Sequence, residues 1–250
     1  MPTAAPGLLA RLDALVDLAA ARRGLALDGA RLAAADARAA ARAVALDAPQ
    51  PAGSDAARPA LAGGGRCAGA RAPDRPPGGS DPGAVEFLRL LAQAVGLLRV
   101  RGSRLEVTTL RPAWSKLDDG LRAGLVYAAW CHRVPWTTVL GHDPGVEALA
   151  RGRLWVLRLL FGLPAGVDVD VSGLTATIRD GLGVEPADGL AAVVTAAFLD
   201  PLGALGAAEL DPVPPRPPVR FRPGPRARVV IGSALIAAGE EVPLTTTTTN

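Results

Sequence analysis

Cys131, His132, His142 and Asp143 fall within thirteen residues and form the one place where a thiolate, two imidazoles and a carboxylate could gather on a metal ion such as zinc. Their spacing argues against it. Neighbours on a helix project about 100° apart, so Cys131 and His132 diverge unless the helix unwinds. Cys131 therefore reads as a small buried apolar side chain, and His142 as part of a loop before a helix cap. No metal site is expected.

Nucleophilic catalysis is no better supplied. It needs a base and an orienting acid beside a Ser or Cys, and the two histidines lie in no nucleophile motif. Gly63-Gly64-Gly65 is not followed by Lys-Ser or Lys-Thr, so a phosphate loop would lack its cation and its metal-binding hydroxyl. The adjacent carboxylates Asp118 and Asp119 diverge, and capping of a helix accounts for one of them. The sequence thus predicts no enzyme, no catalytic residue, no cofactor and no small-molecule substrate.

Phosphate binding is the chemistry for which residues are plentiful. Arg99, Arg101 and Arg104 cluster on one short segment, and Arg216, Arg220, Arg222, Arg226 and Arg228 on another. Arg89 and Gln93 add donors on a preceding helix, partly offset by Glu86. Such arginines could hold DNA phosphates without reading sequence. The competing reading is that they are solvated side chains of an arginine-biased composition, since Lys116 is the single lysine among 27 basic residues. Residues 188 to 204 contain no Arg or Lys, and Asp188 and Asp200 would repel phosphate, which makes that stretch a poor reader of a DNA groove.

The elements that must position these residues follow from periodicity. Leu8, Leu12, Leu15, Val16 and Ala19 recur at helical spacing over 7 to 23, and an alanine-rich helix follows over about 32 to 46. A third helix spans 84 to 95 with Phe87, Leu88, Leu91 and Val95 inward and Glu86, Arg89 and Gln93 outward. Gly96 stops it, and 97 to 108 reads as a β-hairpin turning at Gly102. Asp118 or Asp119 caps a bridging helix over 120 to 133, with Leu121, Leu125 and Ala128 on one face. The order then recurs: a helix over 144 to 161 capped by Asp143, a strand over 167 to 171, a helix capped by Ser172, and a helix over 187 to 205 kinked or divided at Pro201. Gly206 stops that helix, and strands at 207 to 210 and 219 to 222 close the second hairpin.

Three helices and a hairpin, twice, is the order of two winged-helix-like units joined by a bridging helix. The expected class is α+β, mostly α. The divisions are 1–112 for the first unit with an insertion at 48–83, 113–143 for the bridge, 144–238 for the second unit and 239–250 for a tail. Gly96 precedes Arg111-Pro112 by 15 positions and Gly206 precedes Arg222-Pro223 by 16, a spacing that supports duplication. The insertion, the stretch from Asp211 to Pro218 and the threonine-rich tail are too poor in large apolar residues to order themselves and read as mobile. Trp114, Trp130, Trp136 and Trp155 concentrate in the middle of the chain and point to packing between the units.

The phrases RGLALDGARLAAADARAAARAV (23–44), FLRLLAQAVGLLRVRGSRLEVTT (87–109) and LGALGAAEL (202–210) resemble bacterial proteins of two related kinds. These are the C-terminal regions of plasmid-borne open-reading-frame-3-like proteins, also described as insertion-element passenger proteins, and the winged-helix part of helicase-associated domains. The resemblance implies winged helices in a DNA-handling setting and carries no catalytic motif.

The remaining expectations come from bulk properties. A net charge of +3 on 250 residues is mild, and 49% hydrophobic residues suffice for one large or two ordinary cores. Two distant cysteines suggest no disulfide framework, no segment reads as a signal peptide or membrane span, and the expected compartment is the cytoplasm. Function is expected to be protein contact, as a scaffold or regulator with a protein partner or self-association; the alternative is sequence-nonspecific DNA binding through arginines on the hairpins.

Overall fold

The computed structural model describes residues 7–44, 82–185, 189–211 and 219–242. The expected insertion lies almost wholly outside them, as do Arg216 and most of the tail. In the first half, the stripe of Leu8, Leu12, Leu15, Val16 and Ala19 is buried on α1 (Leu8–Ala21). Two short strands that periodicity did not suggest, β1 (Leu25–Asp28) and β2 (Arg31–Leu32), follow it, and then come α2 (Ala34–Ala43) and α3 (Pro82–Val95). Buried Asp36 of α2 accepts from Ala26 N at 2.6 Å and from the Arg22 guanidinium, which fastens β1 to both helices.

The expected hairpin forms as β3 (Leu98–Arg101) and β4 (Arg104–Val107), in antiparallel register from Leu98 opposite Val107 to Arg101 opposite Arg104. β4 also pairs with β1, giving the order β2-β1-β4-β3. Leu25, Leu98 and Leu105 turn inward, and Arg99, Arg101 and Arg104 face solvent.

The bridge contains α4 (Arg111–Trp114), α5 (Asp119–His132) and α6 (Trp136–Leu140). Asp118 caps α5 by accepting from Leu121 N at 2.9 Å. The second half opens with α7 (Pro144–Phe161), where Pro144 occupies the first turn and Asp143 accepts from Gly145 N at 2.7 Å. Next come β5 (Val169–Asp170) and α8 (Val171–Leu182), whose N-cap is Asp170 rather than Ser172.

The next helix is divided just ahead of Pro201 by a change of winding. α9 (Leu190–Val194) passes through a π-helical turn (Thr195–Leu199) into α10 (Asp200–Ala204). A proline has no N–H for the carbonyl four residues back, here that of Ala197. Trp130 Nε1 of α5 donates to that oxygen instead, at 2.7 Å. β6 (Ala208–Leu210) and β7 (Arg220–Pro223) then pair with each other and with β5 in the order β5-β7-β6. A last helix, α11 (Ala227–Ala237), packs against α5 and α7.

Both hairpins are entered through the same joint. Gly96 (φ +90°) follows α3 and Gly206 (φ +67°) follows α10, each in the left-handed region that glycine tolerates. Leu97 N donates to Ala92 O and Ala207 N to Leu202 O, both at 2.9 Å, the six-to-one bond of a Schellman cap. The ladders continue alike, with Thr108 N bonded to Leu97 O and Gly224 N to Ala207 O. By these bonds Pro223 corresponds to Val107, so Arg222-Pro223 ends a strand where Arg111-Pro112 starts α4. The glycines correspond and the Arg-Pro pairs do not.

Candidate interaction surfaces

The bridging helix α5 is the hub of the structure. Phe87 of α3 meets Trp130 edge-on at 5.4 Å, Trp130 lies 6.0 Å from Trp136, and Trp136 meets Phe198 of the π-turn at 5.1 Å. Trp136 Nε1 donates to Trp130 O, and Tyr127 OH reaches Phe198 O at 3.4 Å. A second anchor ties α1 to the bridge: Asp13 accepts from Trp114 Nε1 at 2.8 Å and from Arg122 at 2.7 Å. The concentration of tryptophans thus marks the junction of the halves, with Trp114, Trp130 and Trp136 buried and Trp155 partly so.

The residues first considered as metal ligands are placed apart in character. Cys131 is fully buried, and burial pushes its thiol up to about 12 against the opposing pull of Arg153 and Tyr127. Burial likewise drives the Tyr127 hydroxyl well above its usual value. His132 Nε2 lies 2.8 Å from Ala234 O, so it donates to α11, whereas His142 is exposed. Among the described residues no cluster of three His, Cys, Asp or Glu side chains is arranged to hold a metal.

The arginines and the glutamine considered for phosphate binding fall into three groups. Arg89 was expected on the outer side of α3, yet it is only 6% exposed, with its guanidinium engaged by Glu86 and Gln93 of the same helix. Its aliphatic stem is long enough to lie along the core while Glu86 and Gln93 satisfy the head group. Arg104 and Arg222 face outward but are locally engaged. Arg104 Nη2 donates to Gly24 O at 2.8 Å and Arg22 O at 3.2 Å, closing the end of α1. Arg222 makes a forked pair with Asp168 at 2.6 and 3.0 Å and lies 3.6 Å from Glu209; the pairing holds the Asp168 carboxyl below its usual range. Arg99, Arg101 and Arg220 are exposed, and among the described residues Arg101 lies 3.8 Å from Glu106 and Arg220 3.9 Å from Asp168.

Among the described residues the helices that lead into the two hairpins bury most of their apolar side chains. Val85, Phe87, Leu88, Leu91 and Ala92 of α3 are buried, as are Leu190, Val194, Thr195, Phe198 and Leu202 in the second half. Base readout needs donors that can enter a groove, and these helices spend their surfaces on the core and on α5.

Apolar surface is exposed elsewhere. Leu121 and Leu125 share one face of α5 as expected, but that face looks at solvent, each leucine being 48% exposed. Leu125, with Leu110 (52% exposed), Trp114, Leu117 and Val95, borders a cleft of about 250 Å³ between α3, α4, α5 and the end of α11. His132 and Arg133 are the polar side chains in its lining. Val229 and Ile236 expose a second stripe on the neighbouring α11.

Sequence reasoning missed α11. Its ARVVIGSALIA is apolar nearly all round and β-branched early, so it lacks the polar face that marks an amphipathic helix. The available signal was the spacing of Val230, Ile231, Ala234 and Leu235, all buried. Among the described residues no helix is long and apolar enough to cross a membrane. The sequence matches no family model, and no curated protein or solved structure matches it.

Proposed function

We propose that this chain is a non-enzymatic protein of two winged-helix units that acts by protein contact, as a scaffold or regulator. Two features support the winged-helix reading. Each half runs helix, strand, helix, helix and hairpin, with β2 added in the first, and in each the last strand lies between the first and the hairpin's other strand. Each also enters its hairpin through the same glycine cap.

The observation that carries the functional reading is the cleft bordered by Leu110 and Leu125, with Leu121 exposed one turn before Leu125. Contiguous exposed leucines around a concave apolar lining are the usual mark of a protein-binding surface, whereas isolated ones are not. A photoreactive residue at position 110 should trap a protein in the source cell, and one at Val167, exposed on another part of the surface, should not. Leu110→Asp should abolish capture by a probe at position 125. A probe at 110 that traps no protein would overturn the reading.

Sequence-nonspecific DNA binding is the second reading, favoured by Arg99 and Arg101 standing open on the outer face of the first hairpin. Changing both to Ala should weaken binding to random duplex uniformly and reduce its salt dependence by about two counterions' worth. Absence of a mobility shift at low salt removes this reading.

A further inference from the structure

Two helices leave apolar stripes uncovered, and their stripes share one spacing. On α5 the exposed positions run Asp118, Leu121 and Leu125; on α11 they run Arg226, Val229 and Ile236, while Ala128 is buried and Ser233 faces Gly124. Their steps of three, four and seven residues keep each set on one side of its helix. Within the chain the two helices lie in close contact and run broadly the same way. Gly124 abuts Ser233 so tightly that a Cβ at 124 would stand 2.3 Å from the serine Oγ, and His132 reaches Ala234 O further along. The outward stripes therefore form one two-helix face.

The ends of that face carry opposite charges. α5 begins at the carboxylate of Asp118 and ends at the guanidinium of Arg133; α11 begins at Arg226 and is followed by Glu240 and Glu241. Asp118, Arg133, Arg226 and Glu241 are all exposed. A face with acid and base at one end, and base and acid in the reverse order at the other, is complementary to itself. A two-fold axis along the helices lays α5 of one copy on α11 of the other. It sets Asp118 opposite Arg226 and Arg133 opposite Glu241 of the second copy.

We infer that the occupant of this face is a second copy of the chain, joined as a two-fold dimer through a four-helix layer of α5 and α11. This rests on the reading of the protein as one that works by protein contact and names the partner of the same surface. An isologous interface requires such self-complementarity, and the charged corners fix its register while the leucines supply the burial.

Sedimentation velocity of the full chain over a concentration series is the test. The wild type should sediment at twice the chain mass of 25.4 kDa. Leu125→Glu and Ile236→Glu, both at exposed positions, should sediment at one chain mass with unchanged thermal unfolding. Arg226→Asp should weaken dimerisation by at least ~10-fold by facing Asp118 with a like charge. Adding Asp118→Asn, which keeps the cap acceptor for α5, should recover part of it. A wild type that stays at one chain mass throughout, or a dimer that survives both glutamate variants, overturns the inference. A monomeric wild type whose probe at position 110 still traps a different protein overturns the dimer and leaves protein contact at this surface intact.

Discussion

The two halves share much of their element order but treat the helix that leads into the hairpin differently. In the first half α3 is continuous, and its single deep polar residue, Arg89, is neutralised within the helix by Glu86 and Gln93. In the second half the equivalent helix is opened by a π-turn, and its freed carbonyl is satisfied from outside by Trp130 of the bridge. The hairpins differ as well: Arg222 on the second is tied to Asp168, while Arg99 and Arg101 on the first stay open. In the helix before its hairpin the first half thus satisfies Arg89 locally, and the second draws a donor from the bridge. α5 should therefore matter more to the second half than its packing area alone implies.

The largest expected effect breaks that dependence. Trp130→Ala removes a buried indole at the centre of the aromatic chain and should destabilise the protein by about 4 kcal/mol in urea unfolding. Trp130→Phe keeps most of the packing but leaves Ala197 O without its donor and should cost about 2 kcal/mol. If hydrogen exchange shows the phenylalanine variant loosening α3 as much as the π-turn, the asymmetry between the halves is wrong. Gly124→Ala comes next. The added methyl collides with Ser233 and should cost about 2 kcal/mol, and Ser233→Gly in the same chain should recover most of it.

How much of this was legible depends on where each residue's partners lie. α1, α3, the first hairpin and α7 could be read directly because their stripes, turn glycines and caps are local signals. Gly96 and Gly206 were readable as equivalent joints for the same reason, since a helix stop is written in a few consecutive residues. The Arg-Pro spacing misled because matched dipeptides say nothing of the hydrogen bonds around them. β1 and β2 were missed because strands this short are made by pairing, β1 with β4 some eighty residues away and β2 with β1 alone. Arg89 looked outward because periodicity gives a side chain's direction, not the reach of its stem or the neighbours that neutralise it. Leu121 and Leu125 were correctly placed on one face, but which faces of α5 are covered depends on α11, the helix that composition concealed.

Asp200 offers a smaller and pH-dependent probe of the second half. It stands where the π-turn passes into α10, its Oδ2 is buried without a partner among the described residues, and burial pushes its carboxyl up to about 6. Between the ordinary carboxylate pKa near 4 and about 6, the folded state holds a proton that the unfolded state has lost, so stability from this group falls as pH rises through that window. Above it the buried charge is a standing penalty. Asp200→Asn should therefore stabilise the protein at pH 8 by on the order of 2 kcal/mol and have little effect near pH 4. Equal effects at both pH values would show that the carboxylate is relieved by a partner.

The smallest effects separate the arginines of the first hairpin. The guanidinium of Arg104 closes the end of α1 through Gly24 O and Arg22 O, so Arg104→Ala should cost about 1 kcal/mol by leaving those carbonyls to water and loosening the seat of β1. Arg99 is exposed, and Arg101, also exposed, meets Glu106 only at 3.8 Å. A surface pair of that length contributes little, so Arg99→Ala and Arg101→Ala should each change stability by less than about 0.5 kcal/mol. Thermal melts of the three single variants under one buffer condition measure the difference. If Arg101→Ala costs as much as Arg104→Ala, then the hairpin's outward arginines are part of the fold's own bonding, and the case for their being open to phosphate weakens with it.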